Sequence, residues 1–337
     1  MASAAGRDRL PYRAPVWLPG GHLQTIYASL LANSGDAHYQ RERWSTPDGD
    51  FIDVDRVAGG DGAPLVVLFH GLEGSSGSHY ALSLMRHVRR RGWRGAVPHF
   101  RGCSGEPNRL PRAYHSGDST EIDWMLRRFR NEAGDAPLLA VGFSLGGNAL
   151  LKWLGEQGGG AFAVVRAAVA VSAPLDLMAA GDALGRGFNL VYTRVFLSTL
   201  RRKSAAKLAQ YPGLYDGHAV LRAGTLREFD NLVTAPLHGY RDTDDYWTRA
   251  SSKPWLSRIE APTLLINARN DPFLPPAALP APTEVSSAVR CEFPEEGGHA
   301  GFVAGAFPGT IDWPSQRIIS FFQEQFSPRP IRDQSAG

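Results

Sequence analysis

The chain has 337 residues, of which 43% are hydrophobic and 20% charged, with a formal net charge of +3. This composition is typical of a globular protein with a large apolar core, and the small net charge argues against nucleic acid or a strongly anionic partner. The two cysteines, Cys103 and Cys291, exclude a disulfide framework and a thiol metal cluster.

The N-terminal stretch MASAAGRDRLPYRAPVW lacks the apolar core of a signal peptide. The longest apolar runs are short, such as PLVVLF at 64–69, whereas spanning a bilayer takes about 20 residues. The sequence therefore predicts a cytoplasmic protein without a transmembrane segment.

Strand-like and helix-like segments alternate from residue 51 onward. Compact apolar runs predict strands at 64–71, 93–100, 136–143, 162–173, 261–269 and 288–293. Apolar residues at helical spacing predict helices at 78–92, 119–134, 145–158 and 314–326. Such alternation indicates an α/β fold with a mostly parallel, doubly wound sheet covered by helices on both faces.

The interval 174–255 breaks this alternation and is predicted to be mainly helical. An insertion of this size between two strands usually lies over the C-terminal edge of the sheet, where α/β proteins bind their ligands. We interpret it as a cap. The predicted organisation is an N-terminal extension packing on the core (1–50), a core (51–173 and 256–327), the cap (174–255) and a flexible tail (328–337).

The segment GFSLG at 142–146 has the pattern G-x-S-x-G, with a predicted strand before it and a predicted helix after it. In this arrangement the serine occupies a sharp turn, and glycines on either side avoid collisions with the adjoining strand and helix. The helix N-terminus also favours negative charge. An ordinary strand-to-helix turn would fit the five residues equally well. A reactive serine further needs a base and a carboxylate that orients this base.

Both groups follow predicted strands farther along the chain. Asp271 comes directly after strand 261–269, and His299 lies in a glycine-rich loop after strand 288–293. The order Ser144, Asp271, His299 is the one expected for G-x-S-x-G hydrolases, so we predict these residues as a catalytic triad. Rival residues precede Ser144, belong to the cap or adjoin His299 in sequence: His70, His99, His218, Asp230, His238, Asp244, Asp245, Glu295 and Glu296.

Hydrolysis also requires donors for the oxyanion that forms on the carbonyl oxygen. The backbone N–H of Leu145, directly after the serine, is one candidate, and that of Leu72 in the loop HGLEGSSGSHY (70–80) is the other. This loop lacks the Lys-Ser/Thr ending of a nucleotide-binding loop, so phosphate binding is disfavoured.

Several longer blocks identify a family resemblance. They are PVWLPGGHLQTIY (15–27), HGLEGSSGSHY (70–80), FRGCSGEPN (100–108), YHSGDSTEIDW (114–124), GFSLGGNALLKWLGE (142–156), LREFDNLVTAPLHGY (226–240) and GGHAGF (297–302). With these blocks the chain resembles the α/β-hydrolase superfamily and, more narrowly, the YheT-type hydrolases. Their relatives include yeast medium-chain ethanol acyltransferase/esterases and mammalian membrane-anchored lipid hydrolases.

This resemblance implies an α/β-hydrolase fold with an inserted helical cap and a Ser–Asp–His esterase. Ser144, Asp271 and His299 match the family's catalytic positions, and Leu72 and Leu145 match its oxyanion positions. The chain shows no N-terminal anchor, so the membrane lipid substrates of the anchored relatives are not expected here.

The sequence thus predicts a serine carboxylesterase for short- to medium-chain acyl esters, with no cofactor and no metal. Serine at position 144 argues against dehalogenase and epoxide-hydrolase chemistry, which needs a carboxylate nucleophile in this fold. Two alternatives remain: an acyltransferase that moves the acyl group to an alcohol, and a catalytically silent binding module.

The expected partner is a small-molecule acyl ester or lipid. The basic cluster LRRKSAAK at 200–207 is the candidate for weak peripheral contact with anionic headgroups. The apolar segment at 188–200 is either core of the cap or wall of an acyl tunnel. The sequence does not indicate an oligomeric state.

Overall fold

The computed structural model describes residues 11–32 and 35–326. The predicted tail at 328–337 lies outside these residues. The described residues form one sheet of eight strands. The strands are Gln40–Ser45 (β1), Phe51–Val57 (β2), Leu65–Phe69 (β3), Arg94–Pro98 (β4), Leu138–Phe143 (β5), Ala167–Val171 (β6), Thr263–Ile266 (β7) and Val289–Glu292 (β8).

The spatial order of the strands is β1-β2-β4-β3-β5-β6-β7-β8. β2 pairs antiparallel with both β1 and β4, whereas the neighbours from β4 through β8 pair in parallel. The mostly parallel sheet predicted from the alternation of strands and helices is therefore confirmed. Its parallel strands all end at one edge, which collects the loops that follow them.

Helices cover both faces of this sheet. The described helices outside the β6–β7 connection are Gly21–Leu30 (α1), His79–Arg90 (α2), Ser119–Ala133 (α3), Leu145–Gln157 (α4) and Trp313–Glu324 (α11). One buried cluster joins the sheet to α3 and α4, and a second joins the opposite face to α2 and α11. The central strand β5 is buried along its whole length, as expected for a strand covered on both faces.

Between β6 and β7 the chain is helical. The helices are Leu177–Leu184 (α5), Leu190–Gln210 (α6), Gly217–Arg222 (α7), Leu226–Phe229 (α8), Ala235–Leu237 (α9) and Thr243–Ala250 (α10), with a π-helical turn at Asp230–Thr234. They share a buried apolar cluster that includes Phe273 of the loop after β7. This cluster holds the helical segment against the edge of the sheet.

The antiparallel strands β1 and β2 were not predicted from the sequence. Their register places Arg41 opposite Asp55 and Arg43 opposite Asp53, and both pairs form ion pairs of 2.7 Å. β1 is mostly charged and exposed, so it lacks the apolar alternation by which strands are recognised. β2 does alternate, with Ile52 and Val54 in the buried cluster and Asp53 and Asp55 between and beside them, and this pattern was overlooked.

The predicted strand at 162–173 is wrong in its first part, because β6 begins only at Ala167. Residues Gly158–Ala163 form a 3₁₀ turn instead. The N–H of Val165 donates to the carbonyl of Ala161 at 2.8 Å. Ala161, Val164 and Val165 are buried in this compact turn, whereas Phe162 is exposed. Among the described helices, none is long and apolar enough to cross a membrane.

Candidate active site

Ser144 occupies the turn between β5 and α4, and its backbone has a positive φ of 51°. This conformation is unfavourable for a residue with a side chain. The two flanking glycines leave no room for one: a Cβ on Gly142 would lie 2.5 Å from the carbonyl oxygen of Gly146, and a Cβ on Gly146 would lie 2.4 Å from that of Phe69. Close packing of backbone against backbone therefore fixes the turn.

The three residues predicted as a triad lie in hydrogen-bond sequence. The Oγ atom of Ser144 is 2.7 Å from Nε2 of His299. Nδ1 of His299 is 3.0 Å from one carboxylate oxygen of Asp271 and 3.2 Å from the other. The side chain of Asp271 has 0% exposure and that of His299 10%, so water scarcely competes for these bonds.

The loop that carries His299 is held by side chains from distant elements. Its backbone N–H donates to Oγ1 of Thr25 on α1 at 2.8 Å, and the N–H of Ala300 donates to Oγ of Ser172 after β6 at 2.9 Å. A Cβ on Gly298 would lie 2.6 Å from the backbone nitrogen of Thr25. The glycine thus allows the loop to approach α1 closely.

An aromatic ring covers the imidazole. Phe273 stacks on His299 with ring centroids 4.0 Å apart, and its backbone N–H donates to Asp271 at 2.8 Å. Tyr192 of α6 contacts the same phenyl ring, 4.9 Å between centroids. Phe273 therefore lies between the imidazole of His299 and Tyr192 of α6.

The loop after β3 lies beside Ser144: a Cβ on Gly71 would be 3.1 Å from that of Ser144. The N–H of Gly71 donates to the hydroxyl of Tyr80 at 2.8 Å. No described residue accepts a hydrogen bond from the N–H of Leu72. Leu145 opens α4, where backbone N–H groups have no partner within the helix. Both predicted oxyanion donors thus line the same cavity as Ser144.

This cavity of about 630 Å³ lies between the sheet edge and the cap. Ser144 and His299 form part of one wall. The opposite wall is largely apolar, and its residues include Leu177, Leu184, Phe196, Leu200, Phe229 and Val233. A space of this size and lining is typical of small-molecule sites.

The segment 188–200 contributes residues both to the core of the cap and to the wall of this cavity. Phe196 and Leu200 line the cavity, whereas Leu197 is buried in the cap cluster. A third face of the same helix is open to solvent, with Val191 and Val195 exposed.

One buried carboxyl group faces the cavity from the cap. Asp230 accepts hydrogen bonds from the hydroxyl of Thr234 at 2.6 Å and from the indole of Trp247 at 2.8 Å. Burial raises the pKa of Asp230 to about 6 despite these bonds. The Asp230 carboxyl group therefore changes charge close to neutral pH.

The structure places the rival residues in other roles. Nε2 of His70 accepts the N–H of Phe100 at 3.0 Å, and burial lowers its pKa to about 3. His238 stacks near His115, and burial lowers its pKa to about 3 as well. Glu295 forms an ion pair with Arg269. None of these side chains bonds to Ser144, Asp271 or His299 in the described part of the chain.

Three of the four cations in the basic cluster at 200–207 bond within the protein. Arg201 donates to the carbonyl of Ala223, Lys203 to Glu73, and Lys207 to the carbonyls of Asn108 and Leu110. The predicted contact with anionic headgroups therefore depends mainly on the exposed Arg202.

Sequence reasoning missed the residues that hold the loops in place. Thr25 and Tyr80 lie within the blocks that carry the family resemblance, and Phe273 lies two residues after Asp271, but nothing in their local pattern marks them as supports. Their partners lie as far as 274 residues away in sequence. In the described residues no group of three or more His, Cys, Asp or Glu side chains is arranged to hold a metal ion.

Residues 64–306 match a family model described as the alpha/beta hydrolase fold. The chain belongs to the α/β-hydrolase family. This α/β-hydrolase is 43% identical over 302 residues to "Putative esterase YheT" of Escherichia coli (strain K12), and the alignment covers 88% of each protein. It is 30% identical over 322 residues to "Phospholipase ABHD3" of Mus musculus, which covers 93% of this chain and 78% of the relative.

The fold is also similar to that of solved structures. The Pyrococcus furiosus esterase Pf2001 matches with a TM-score of 0.53 and 15% identity, over 85% of this chain and 92% of that one. At this level of identity the likeness shows the fold alone, and the relatives above carry the closer relationship.

Proposed function

We propose that this α/β-hydrolase is a serine carboxylic-ester hydrolase that acts on short- to medium-chain acyl esters. The observation that carries the proposal is the hydrogen-bond sequence from Asp271 through His299 to Ser144, with 3.0 and 2.7 Å between the bonded atoms. Relatives named as an esterase and a phospholipase support the same class of reaction, cleavage of an ester bond.

In the first half-reaction, Oγ of Ser144 attacks the carbonyl carbon of the ester while Nε2 of His299 takes the hydroxyl proton. Asp271 accepts the Nδ1–H of His299, which fixes the tautomer that leaves Nε2 free to act as base. The protonated imidazole then gives its proton to the alkoxide oxygen as the C–O bond breaks. The alcohol leaves, and the acyl group stays on Ser144.

The tetrahedral intermediate carries negative charge on the former carbonyl oxygen. In the proposed mechanism the N–H groups of Leu72 and Leu145 donate to this oxygen. Donors that are fixed before the reaction cost no reorganisation during it, and one such donor is worth about 10²–10³ in turnover.

In the second half-reaction, water takes the place of the alcohol. His299 removes a proton from water as the water oxygen attacks the acyl carbon. The imidazolium then gives this proton to Oγ of Ser144 as the bond between Oγ and the acyl carbon breaks, which releases the carboxylic acid and restores the serine. An alcohol in place of water would give a new ester, so the acyltransferase alternative uses the same groups.

Labelling with a fluorophosphonate probe tests the nucleophile. We expect the wild type to be labelled and Ser144→Ala to remain unlabelled. Ser198→Ala is the matched control, because Ser198 is exposed on the cap and bonds only to its own helix; it should label like the wild type. A folded wild type that resists the probe would contradict the proposal and favour the binding module.

A series of p-nitrophenyl esters from acetate to dodecanoate then measures the acyl length. We expect kcat/KM to peak between butyrate and octanoate, because the cavity of about 630 Å³ must hold both the acyl chain and the alcohol group. An optimum at dodecanoate would overturn the assignment of chain length. Product analysis with added ethanol separates the two reactions: ethyl ester in excess over free acid would identify an acyltransferase.

A further inference from the structure

Glu73 directly follows Leu72, the proposed oxyanion donor, and its backbone lies in the left-handed region with a φ of 54°. A non-glycine residue adopts this conformation only where its surroundings hold it. The hydroxyl of Tyr114 does so at two points. It accepts the backbone N–H of Glu73 at 2.8 Å and donates to Oε1 of the same residue at 2.8 Å.

A cation from the cap completes this arrangement. Nζ of Lys203, on α6, donates to the same Oε1 atom of Glu73 at 2.8 Å. It also lies 3.4 Å from Sγ of Cys103. Burial raises the pKa of the Cys103 thiol to about 11, so the thiol is neutral at pH 7 and the Glu73 carboxylate is the anion that Lys203 meets.

This ion pair differs from an ordinary pair on a protein surface, which is weak because water screens it. The Glu73 side chain has only 9% exposure and that of Lys203 36%, and both residues line the cavity. Burial lowers the pKa of Lys203, but the sulfur of Cys103, which ionises only in the alkaline range, and the Glu73 carboxylate more than offset this, so the pKa of Lys203 lies above its ordinary value. The lysine therefore stays protonated throughout the neutral range.

We propose that Lys203 is a positioning residue for the reaction: by holding the Glu73 carboxylate, it fixes the Leu72 N–H in the geometry that binds the oxyanion. This inference rests on the proposed ester hydrolysis. It makes the oxyanion site depend on the cap, because the Leu72 loop is fully ordered only while α6 is seated over it. Lys203 touches neither the ester nor the triad in this scheme and acts through Glu73.

The kinetic consequence is specific. A donor that binds charge present only in the transition state changes kcat rather than KM when it is displaced. A shift of about 1 Å in a catalytic group can cost 10²-fold. A loosened loop that still samples the correct position should cost less, so we expect a kcat that is about 10- to 30-fold lower.

The test uses the full-length protein and p-nitrophenyl butyrate. Lys203→Met should lower kcat by about 10- to 30-fold with less than a threefold change in KM, and Lys203→Arg should restore most of it. Glu73→Gln should resemble Lys203→Met, and the double variant should be no slower than either single one. Arg201→Met is the matched control: it removes a neighbouring cation whose hydrogen bond stays within the cap, and its kcat should stay within twofold of wild type.

Amide hydrogen exchange of residues 71–77 provides a readout that does not need catalysis. We expect at least tenfold faster amide exchange of this loop in Lys203→Met, while the melting temperature of this variant stays that of the wild type. Amide exchange in Arg201→Met should not change. If Lys203→Met does not fold, Lys203→Gln takes its place.

Unchanged loop exchange, or a slower kcat that Arg201→Met shares, would overturn the role of Lys203. If the loop exchanges faster in Lys203→Met but the wild type hydrolyses no ester, the proposed function is contradicted. The structural role of Lys203 in holding the loop would still stand in that case.

Discussion

The two proposed oxyanion donors beside Ser144 are positioned by different means. The Leu145 side is set by the core itself, since Gly142 and Gly146 allow backbone to pack directly on backbone. The Leu72 side is a loop held by the hydroxyls of Tyr80 and Tyr114 and by the ammonium group of Lys203. One half of the site therefore forms with the sheet, whereas the other half requires side chains from three separate parts of the chain.

The largest effect is expected from a substitution on the Leu145 side, which we call the backbone-built half of the site. In Gly146→Ala the new Cβ would lie 2.4 Å from the carbonyl oxygen of Phe69 and 2.6 Å from that of His70. Neither backbone atom can move without shifting β3, so Ser144 and Leu145 must move instead. We expect kcat/KM to fall by at least about 10²–10³-fold, the loss associated with one oxyanion donor, together with a lower melting temperature.

Gly77→Ala is the matched control in the Leu72 loop, the half of the site that is held by side chains. Its nearest neighbour would be Oγ of Ser75 at 3.4 Å, an ordinary contact. We expect less than a threefold change in kcat/KM. Similar losses in the two variants would contradict the distinction between the halves.

The second prediction concerns the cap, which supplies Lys203 to the Leu72 loop, and it is a change in the free energy of unfolding with pH. Burial raises the pKa of Asp230 to about 6 from 3.8, so between these values the native state holds a proton that the unfolded state has lost. The stability that this proton contributes is present below pH 3.8 and is lost as the pH rises through 6. Its full size is on the order of 3 kcal/mol.

Urea unfolding of wild type and Asp230→Asn from pH 4 to pH 7 measures this contribution. The asparagine does not titrate, so the free energy of unfolding of the wild type should fall relative to that of the variant as the pH rises. A difference that stays constant with pH would show that Asp230 ionises normally.

The third prediction concerns a substitution that removes one hydrogen bond from the Leu72 loop, the bond between the N–H of Gly71 and the hydroxyl of Tyr80. Tyr80→Phe leaves the backbone N–H of Gly71 without its acceptor, and an unsatisfied buried donor costs about 1–3 kcal/mol. We expect kcat to fall by about tenfold because the displaced loop carries Leu72. Tyr27→Phe removes an exposed hydroxyl that bonds to the carbonyl of Pro308; if it slows the enzyme as much, the effect of Tyr80 is not local.

The smallest effect is expected at the loop that carries His299, the proposed base, which is held by Thr25. Thr25→Val removes the acceptor for the backbone N–H of His299 while keeping the size of the side chain. We expect about fivefold lower kcat, since one hydrogen bond contributes about 1 kcal/mol. Thr25→Ser keeps the hydroxyl and should remain near wild type. Equal rates for the two variants would mean that the His299 loop does not need this bond.

The sequence reveals the backbone-built half better than the other. The turn at Ser144 has a five-residue pattern, and Asp271 and His299 each follow an apolar strand, so local rules suffice to find them. Thr25, Tyr114 and Lys203 bond to partners that lie far away in sequence. Their residue types are common in any chain, and only the folded structure brings them to the site.

The limits of local sequence patterns also explain the errors in the predicted strands. Sheet strands with apolar runs were predicted because burial dictates their composition. β1 was missed because its residues are mostly charged and exposed, and β2 was missed although Ile52 and Val54 alternate with Asp53 and Asp55. The start of β6 was misplaced because residues 162–165, at the end of the 3₁₀ turn Gly158–Ala163 and directly after it, form an apolar run typical of a strand.

The anchoring of the His299 loop on α1 bears on how such chains should be divided. The segment recognised as the hydrolase family begins at residue 64, yet Thr25 accepts the N–H of His299 and Gln24 accepts that of Val303 at 2.8 Å. A protein truncated at that boundary would retain Ser144 and both its partners but would lose the scaffold under the base. The segment recognised by the family model is therefore smaller than the unit that holds the His299 loop, and shortened variants of this protein should keep α1.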